Sequence, residues 1–209
     1  MTAADFVPTS TDLDGLRAAA LGCRGCELWE PASQTVFSAG RADARVVLVG
    51  EQPGDQEDRQ GAPFVGPAGR VLVRAVDDAG IDRSTIYRTN VVKHFRFTQA
   101  GPGTRRIHQT PDRMHVEACR PWLRAELALL TPVVIVCLGA TAAKGMLGAG
   151  FRVTRQRGET FPFPPSTATA GPPWIMATIH PSAVLRADDR DKTYDGLVAD
   201  LRIAAGLLG

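Results

Sequence analysis

Four apolar runs divide the chain, separated by glycine-bounded polar segments. They are Arg45 to Val49, Ile86 to Val92, Pro132 to Leu138 and Trp174 to Ile179. Val46-Val47-Leu48-Val49 and Val133-Val134-Ile135-Val136-Cys137-Leu138 are apolar at successive positions, the pattern of strands covered on both faces. Helical periodicity fills the intervals. Thr11 with Asp14 predicts a capped helix over Asp12 to Leu21, and Pro67 predicts one over Ala68 to Ala79, with Val71, Leu72, Ala75 and Val76 turned inward. Thr110 and Pro111 predict a short helix to Ala118, and Pro121 starts a second, running to Leu130. A helix opens at Gly139 and ends near Gly148, and another spans Lys192 to Ala205. Residues 27–44, Asp55 to Gly66 and Phe161 to Pro173 are expected as loops. Strands alternating with helices predict a single α/β domain over 1–209, three layers (α/β/α) around a central four-stranded, mostly parallel sheet.

In such a sheet the carboxyl ends of the strands collect the ligand site. Glu51 and Gln52 follow the first strand, Asn90 ends the second, and His180 follows the last. The first turn is Gly50-Glu51-Gln52-Pro53-Gly54 instead of GxGxxG, which argues against a dinucleotide.

Composition changes the picture in two places. The chain carries a formal +2, yet from Arg88 to Arg113 six Arg or Lys face one acid, Asp112, so that window is +5 and the remainder −3. A basic segment with Gly101-Pro102-Gly103 before Thr104-Arg105-Arg106-Ile107-His108 suits a phosphate backbone, with a histidine at the loop's tip. A basic surface merely facing solvent is the alternative, and His108 by itself would be a phosphate contact. No apolar run has transmembrane length, and Met1 to Asp14 is too polar for a signal peptide, so a cytoplasmic protein without membrane contact is expected. In that compartment the four cysteines are free or metal-binding. Cys23-x-x-Cys26 is a chelating pair shared by zinc, iron–sulfur and redox sites, Cys119 is a third thiol, and Cys137 within the apolar run is a small core residue. His115 is taken as structural.

Gly50 to Gly54, Pro63-Phe64-Val65-Gly66-Pro67-Ala68-Gly69, Thr89-Asn90-Val91-Val92-Lys93 and His180-Pro181-Ser182 together resemble the uracil-DNA glycosylase superfamily, near its iron–sulfur family 4 branch. The resemblance runs from Cys23 to the last helix. Where family 4 has a strand-end cysteine this chain has His94, and an insertion of about 95–110 carries Arg105-Arg106-Ile107-His108. Both features are similar to the X-type branch (UdgX), which captures uracil-containing DNA covalently through a histidine.

The resemblance implies a bacterial DNA-repair enzyme, a monomer, that excises uracil with a preference for single strands. It implies Phe64 stacking on the flipped base, Asn90 reading its edge, Gln52 holding the pyrimidine and His180 donating to the leaving uracil. Glu51 supports the cationic sugar and His108 attacks C1′, leaving a covalent adduct. Arg105, Arg106 and Ser182 contact DNA. Cys23, Cys26, His94 and Cys119 hold a [4Fe–4S] cluster, with zinc as the alternative. Two other readings remain open: a hydrolytic, multiple-turnover family 4-like enzyme, and a non-catalytic iron–sulfur module that binds uracil or single strands.

Overall fold

The computed structural model describes residues 2–163 and 173–209. Four strands form the centre of one sheet: β2 (Val46–Gly50), β3 (Ile86–Asn90), β6 (Val134–Leu138) and β8 (Trp174–Thr178). They run parallel in the order β3-β2-β6-β8, with Gly50 beside Asn90 and Leu138 beside Thr178. The three-layer α/β/α expectation holds. The sheet is six-stranded, because two short antiparallel edge strands, β1 (Ser38–Ala39) on β3 and β7 (Thr160–Pro162) on β8, close its flanks.

Alternation along each strand divides the core. Val47, Val49, Tyr87, Ile135, Cys137 and Ile175 face one layer, which contains helices α1 (Leu13–Ala20), α4 (Arg113–Ala128) and α5 (Ala140–Leu147). Val46, Leu48, Ile86, Val134, Val136 and Met176 face the other, with α3 (Pro67–Asp78) and α8 (Arg190–Gly206). Short helices α2 (Asp55–Gln60), α6 (Val153–Gln156) and α7 (Ser182–Arg186) sit between these elements. Among the described residues, no helix is long and apolar enough to cross a membrane.

Several local expectations are corrected. Asp12, not Thr11, caps α1, its carboxylate accepting from the Gly15 N–H at 2.8 Å. Pro121 does not divide α4, which runs unbroken because Val116, Cys119, Trp122, Leu123 and Glu126 form a single buried stripe. That stripe outweighs one missing backbone donor. The helix also starts later than Thr110-Pro111 suggests, after Asp112, whose N–H is accepted by His115 Nδ1 at 2.9 Å. Residues 55–60 form α2 instead of loop, because the Glu57 carboxylate accepts from the N–H groups of Gly54 and Gly66 (3.1 and 2.7 Å) and pins both ends of the turn. Residues 161–162, expected as loop, belong to β7, and residues 164–172 of that expected loop lie outside the described residues.

The basic insertion is a hairpin, β4 (Phe97–Thr98) paired with β5 (Ile107–His108). Its tip is turned by Gly101 and Thr104, and His108 is therefore not at the tip. It lies on the returning strand opposite Phe97, close to the sheet rim.

Beneath this rim lies a buried ion pair, Lys93 with Glu126, whose side chains are 1% and 0% exposed. Thr89 and Tyr87 hydroxyls donate to the same carboxylate. Lys93 also bonds the Asn90 carbonyl at 3.0 Å, so the pair fixes the end of β3 that carries Asn90. Lys93 is one of the six cations of the basic window, and the fold neutralises it internally.

Candidate active site

Gly50, at the end of β2, is where two side chains meet. A Cβ placed on it would lie 2.3 Å from Asn90 Oδ1 and 2.7 Å from Phe64 Cζ, so the missing side chain is the space these two groups border. Asn90 is buried as a residue, and among the described residues no hydrogen bond engages its carboxamide, whose atoms are not sealed from solvent. Its donor and its acceptor are therefore free to bond a ligand with matching polar atoms. Phe64 adopts φ +60°, a left-handed conformation rare for a non-glycine residue and a mark of functional strain. Gly69 on α3 permits it, since a Cβ there would sit 1.9 Å from the Phe64 carbonyl oxygen. This explains why the PFVGPAG segment carries its second glycine inside a helix.

Next to the pocket, Gln52 clamps the hairpin. Its Oε1 accepts from the Arg96 N–H at 3.0 Å, and its amide nitrogen faces the carbonyls of Arg96 (3.2 Å) and Gln109 (3.0 Å). The same nitrogen is 2.9 Å from His108 Nε2. The Gln52 side chain, expected to hold the pyrimidine edge together with its neighbouring backbone N–H groups, has all its polar atoms engaged by the hairpin in this structure. Glu51 Oε1 lies 3.4 Å from His108 Nε2, and Glu51 Oε2 accepts a hydrogen bond from the Thr141 hydroxyl on α5. Thr141 was not foreseen, because a contact across ninety residues leaves no local signal.

His180 follows β8 over Gly139, whose φ of +91° and absent Cβ admit it (a Cβ would fall 2.9 Å from that of His180). The Ser182 N–H donates to His180 Nδ1 at 3.2 Å, so the neutral ring carries its proton on Nε2. Burial, with Arg186 and His108 acting in the same direction, lowers its pKa to about 4. At neutral pH it is an uncharged donor. The Ser182 hydroxyl is engaged by His180 Nδ1 (2.7 Å) and Arg186 (2.9 Å) and so serves the histidine.

The profile of the Uracil DNA glycosylase superfamily matches residues 37–202, from β1 through most of α8, including every rim residue above. The chain belongs to the uracil-DNA glycosylase superfamily. It is 36% identical over 165 residues to a type-4 uracil-DNA glycosylase of Thermotoga maritima, covering 78% of each chain. It is also similar to type-4 uracil-DNA glycosylases of Pyrobaculum aerophilum (35% over 176 residues, 84% of this chain and 85% of that one) and Archaeoglobus fulgidus (32% over 187 residues, 88% of each). The superfamily relationship is thus to type-4 members.

On this superfamily scaffold the hairpin's charges are mostly paired. Arg106, only 8% exposed, is bound by Asp55 and by Asp58 at 2.6 Å, and its guanidinium lies 4.9 Å from the Phe97 ring centroid. Burial disfavours its charge, but Asp58 and Asp55 more than compensate. Arg106, expected as a phosphate and loop-positioning group, is held by these internal pairs, and Asp58 extends them by accepting from the Ser33 N–H at 3.1 Å. Arg96 pairs with Asp112 and Arg113 with Glu117. Arg105 is exposed and, among the described residues, unpaired.

Cys23 and Cys119 are buried and Cys26 is partly exposed, all three as free thiols; among the described residues no three His, Cys, Asp or Glu side chains form a group placed to hold a metal ion. Burial raises Cys119 to about 12; Lys93 opposes this, while Cys26 and Cys23 add to it. Trp122 Nε1 donates to Cys23 Sγ at 3.2 Å. In donor type the three free thiols suit a thiolate-bound metal centre, since a bound cation would offset the cost of their ionisation. His94 Nε2 is 2.9 Å from the Thr35 hydroxyl, which itself donates to the Ala20 carbonyl, so the imidazole is the donor and Nδ1 keeps a lone pair. That tautomer suits a ligand. His115 Nε2 bonds Glu27 at 2.6 Å and ties α4 to the segment beside Cys26, in keeping with a structural role.

Proposed function

We propose that this chain is a glycosylase that removes uracil from DNA by cleaving the N-glycosidic bond. The observation that carries this reading is the unpartnered Asn90 carboxamide bordering Gly50 with Phe64. An amide offers one donor and one acceptor face, matching uracil O4 and N3–H and opposing the reversed pattern of cytosine. The base would stack on Phe64 after leaving the helix, most cheaply from a single strand. His180, neutral with its proton on Nε2, would donate to the uracil oxygen as charge develops, a stabilisation that grows toward the transition state.

Two ways of meeting the sugar remain. The similarity to type-4 uracil-DNA glycosylases supports the hydrolytic reading, in which Glu51 would orient a water. The position of His108 favours covalent capture. In that step the C1′–N1 bond breaks with its electron pair leaving on uracil, the His108 Nε2 lone pair bonds C1′, and the imidazolium sheds its Nδ1 proton to solvent. The uracil anion takes up a proton from solvent.

Cys23, Cys26, Cys119 and His94 would hold a [4Fe–4S] cluster, or zinc, binding the amino-terminal segment to the hairpin's base. When bound it would supply structure. Iron and sulfide in stoichiometric amounts, with a broad visible band, are expected; zinc without sulfide assigns the alternative.

Protein mixed with a labelled oligonucleotide carrying one uracil, then boiled in denaturing detergent, separates the readings. A heat-stable shifted band that vanishes in His108→Ser, with slow excision restored, means capture. Alkali-labile sites formed at sub-stoichiometric protein, with no shifted band, mean hydrolysis. Tight binding with neither product overturns the glycosylase reading and leaves a binding module.

A further inference from the structure

Much of the basic window around the hairpin is neutralised by internal pairs, Arg105 being an exposed exception, and further unpaired cations lie outside the hairpin. A cleft of about 630 Å³ runs between α4 and α5. Arg113, Glu117, Arg120 and Arg124 follow one another along the α4 wall at helical spacing, and Lys144 lines the α5 wall. Arg113 and Glu117 pair with each other, and Arg120 lies close enough for Glu117 to feel its charge, whereas Arg120, Arg124 and Lys144 form no ion pair among the described residues. The Nε–H of Arg120 is buried without any acceptor. A buried guanidinium donor in this state is costly unless an external acceptor completes it. Leu123, Leu127 and Phe163 supply an apolar floor between the cations.

We propose that this cleft is a second DNA subsite, which takes the phosphates and bases of the single strand flanking the reacting nucleotide. Alternating cations and apolar surface match a chain of phosphates carrying flat bases. Continuity selects nucleic acid over an acidic peptide. Thr141 lines the cleft and also donates to Glu51, and Thr110 lines it two residues after His108. A strand with its base between Phe64 and Asn90 passes directly from the pocket into the cleft. The subsite rests on the glycosylase reading for its ligand, but it can be tested without catalysis.

The test uses the full chain and fluorescent, uracil-free single strands: one short enough to span only the pocket, and others extended at the 5′ or the 3′ end. In the wild-type protein, extension on one side is expected to tighten binding and the other side to add little. In Arg120→Gln/Arg124→Gln that gain is lost, and the slope of log K against log salt falls by about 1.4, roughly 0.7 for each phosphate contact removed. Lys144→Gln, on the opposite wall, is expected to lose about half as much slope. Excision from a separate short strand carrying one uracil stays at the wild-type rate, which also shows that the variants fold. An unchanged extension gain and salt slope in all variants overturns the proposal. Weakened binding of a poly-glutamate peptide, with DNA binding unaltered, also overturns it and assigns the cleft to an acidic protein segment. If the wild-type protein excises nothing while the length and slope effects persist, the glycosylase reading fails and the cleft stands.

Discussion

The amide nitrogen of Gln52 lies 2.9 Å from Nε2 of His108, and this contact sets which face of the imidazole is available. The Arg96 N–H on Oε1 fixes the orientation of the amide, so the group presented to His108 is a donor. A neutral His108 therefore keeps its Nε2 lone pair, with the proton on Nδ1; a protonated ring would turn instead to Glu51 Oε1 at 3.4 Å. Replacing Gln52 with Leu removes both the donor and the clamp on the hairpin. Each hydrogen bond of this kind contributes about 0.5–1.5 kcal/mol. Excision or capture is expected to slow by about ten- to a hundredfold, with faster amide exchange over residues 96–109. A weakened affinity for free uracil at unchanged hairpin exchange would instead return Gln52 to pyrimidine binding.

Arg106 and Arg105 are expected to separate by what they change. Arg106→Gln leaves the fully buried Asp58 carboxylate without its cation, and breaking such a pair from one side costs about 3–5 kcal/mol. Chemical denaturation should register that loss. Arg105→Gln should leave stability unaltered and lower the salt slope for single-stranded DNA by about 0.7, the value for one phosphate contact. The reverse pattern would show that Arg106 faces DNA and that the pairing with Asp58 is dispensable.

The difference between those two neighbouring arginines shows what sequence can and cannot convey here. The four parallel strands were legible because strands buried on both faces must be apolar at every position, and Glu51, Asn90 and His180 followed from their places at strand ends. Strands of two or three residues such as Ser38–Ala39 and Ile107–His108 carry no periodicity, since their pairing is decided by distant partners. Formal charge counts groups but not partners, so Lys93 and Arg106 counted as loop charge although Glu126, Asp55 and Asp58 neutralise them. Thr141 and Gly69 acquire roles only through contacts with Glu51 and the Phe64 backbone. The resemblance supplied residue types for the pocket; it did not reveal that Gln52 is occupied.

Gly50 offers a test of the pocket that leaves the polar groups intact. Any residue can adopt its strand conformation, so an alanine there costs little in the backbone. Its methyl, however, would fall within 2.7 Å of both Asn90 Oδ1 and Phe64 Cζ. Gly50→Ala is expected to fold, to keep its affinity for uracil-free DNA, and to lose at least about a hundredfold in excision, equivalent to about 2.7 kcal/mol of barrier. Near wild-type excision in this variant would mean the base does not enter between Asn90 and Phe64.

The protonation of His180 can be followed directly. Burial is the main cause of its low pKa, with Arg186 and His108 adding to it, and the Ser182 N–H opposite Nδ1 leaves Nε2 as the proton carrier. In the unfolded chain the ring titrates near the ordinary histidine value of about 6.5. As pH falls below that value the unfolded state takes up the proton first, so His180 makes folding less favourable from about 6.5 down to about 4 and adds no further loss below. Proton NMR of the ring should therefore give a midpoint near 4 in the folded protein. His180→Asn should flatten the corresponding part of the stability–pH curve. The same substitution keeps an amide donor at the rim, so excision should fall less than in His180→Ala. A folded-state midpoint near 6.5 would instead mean a ring open to solvent, charged in mildly acid solution, and unable to act there as the neutral donor on which the leaving-group argument depends.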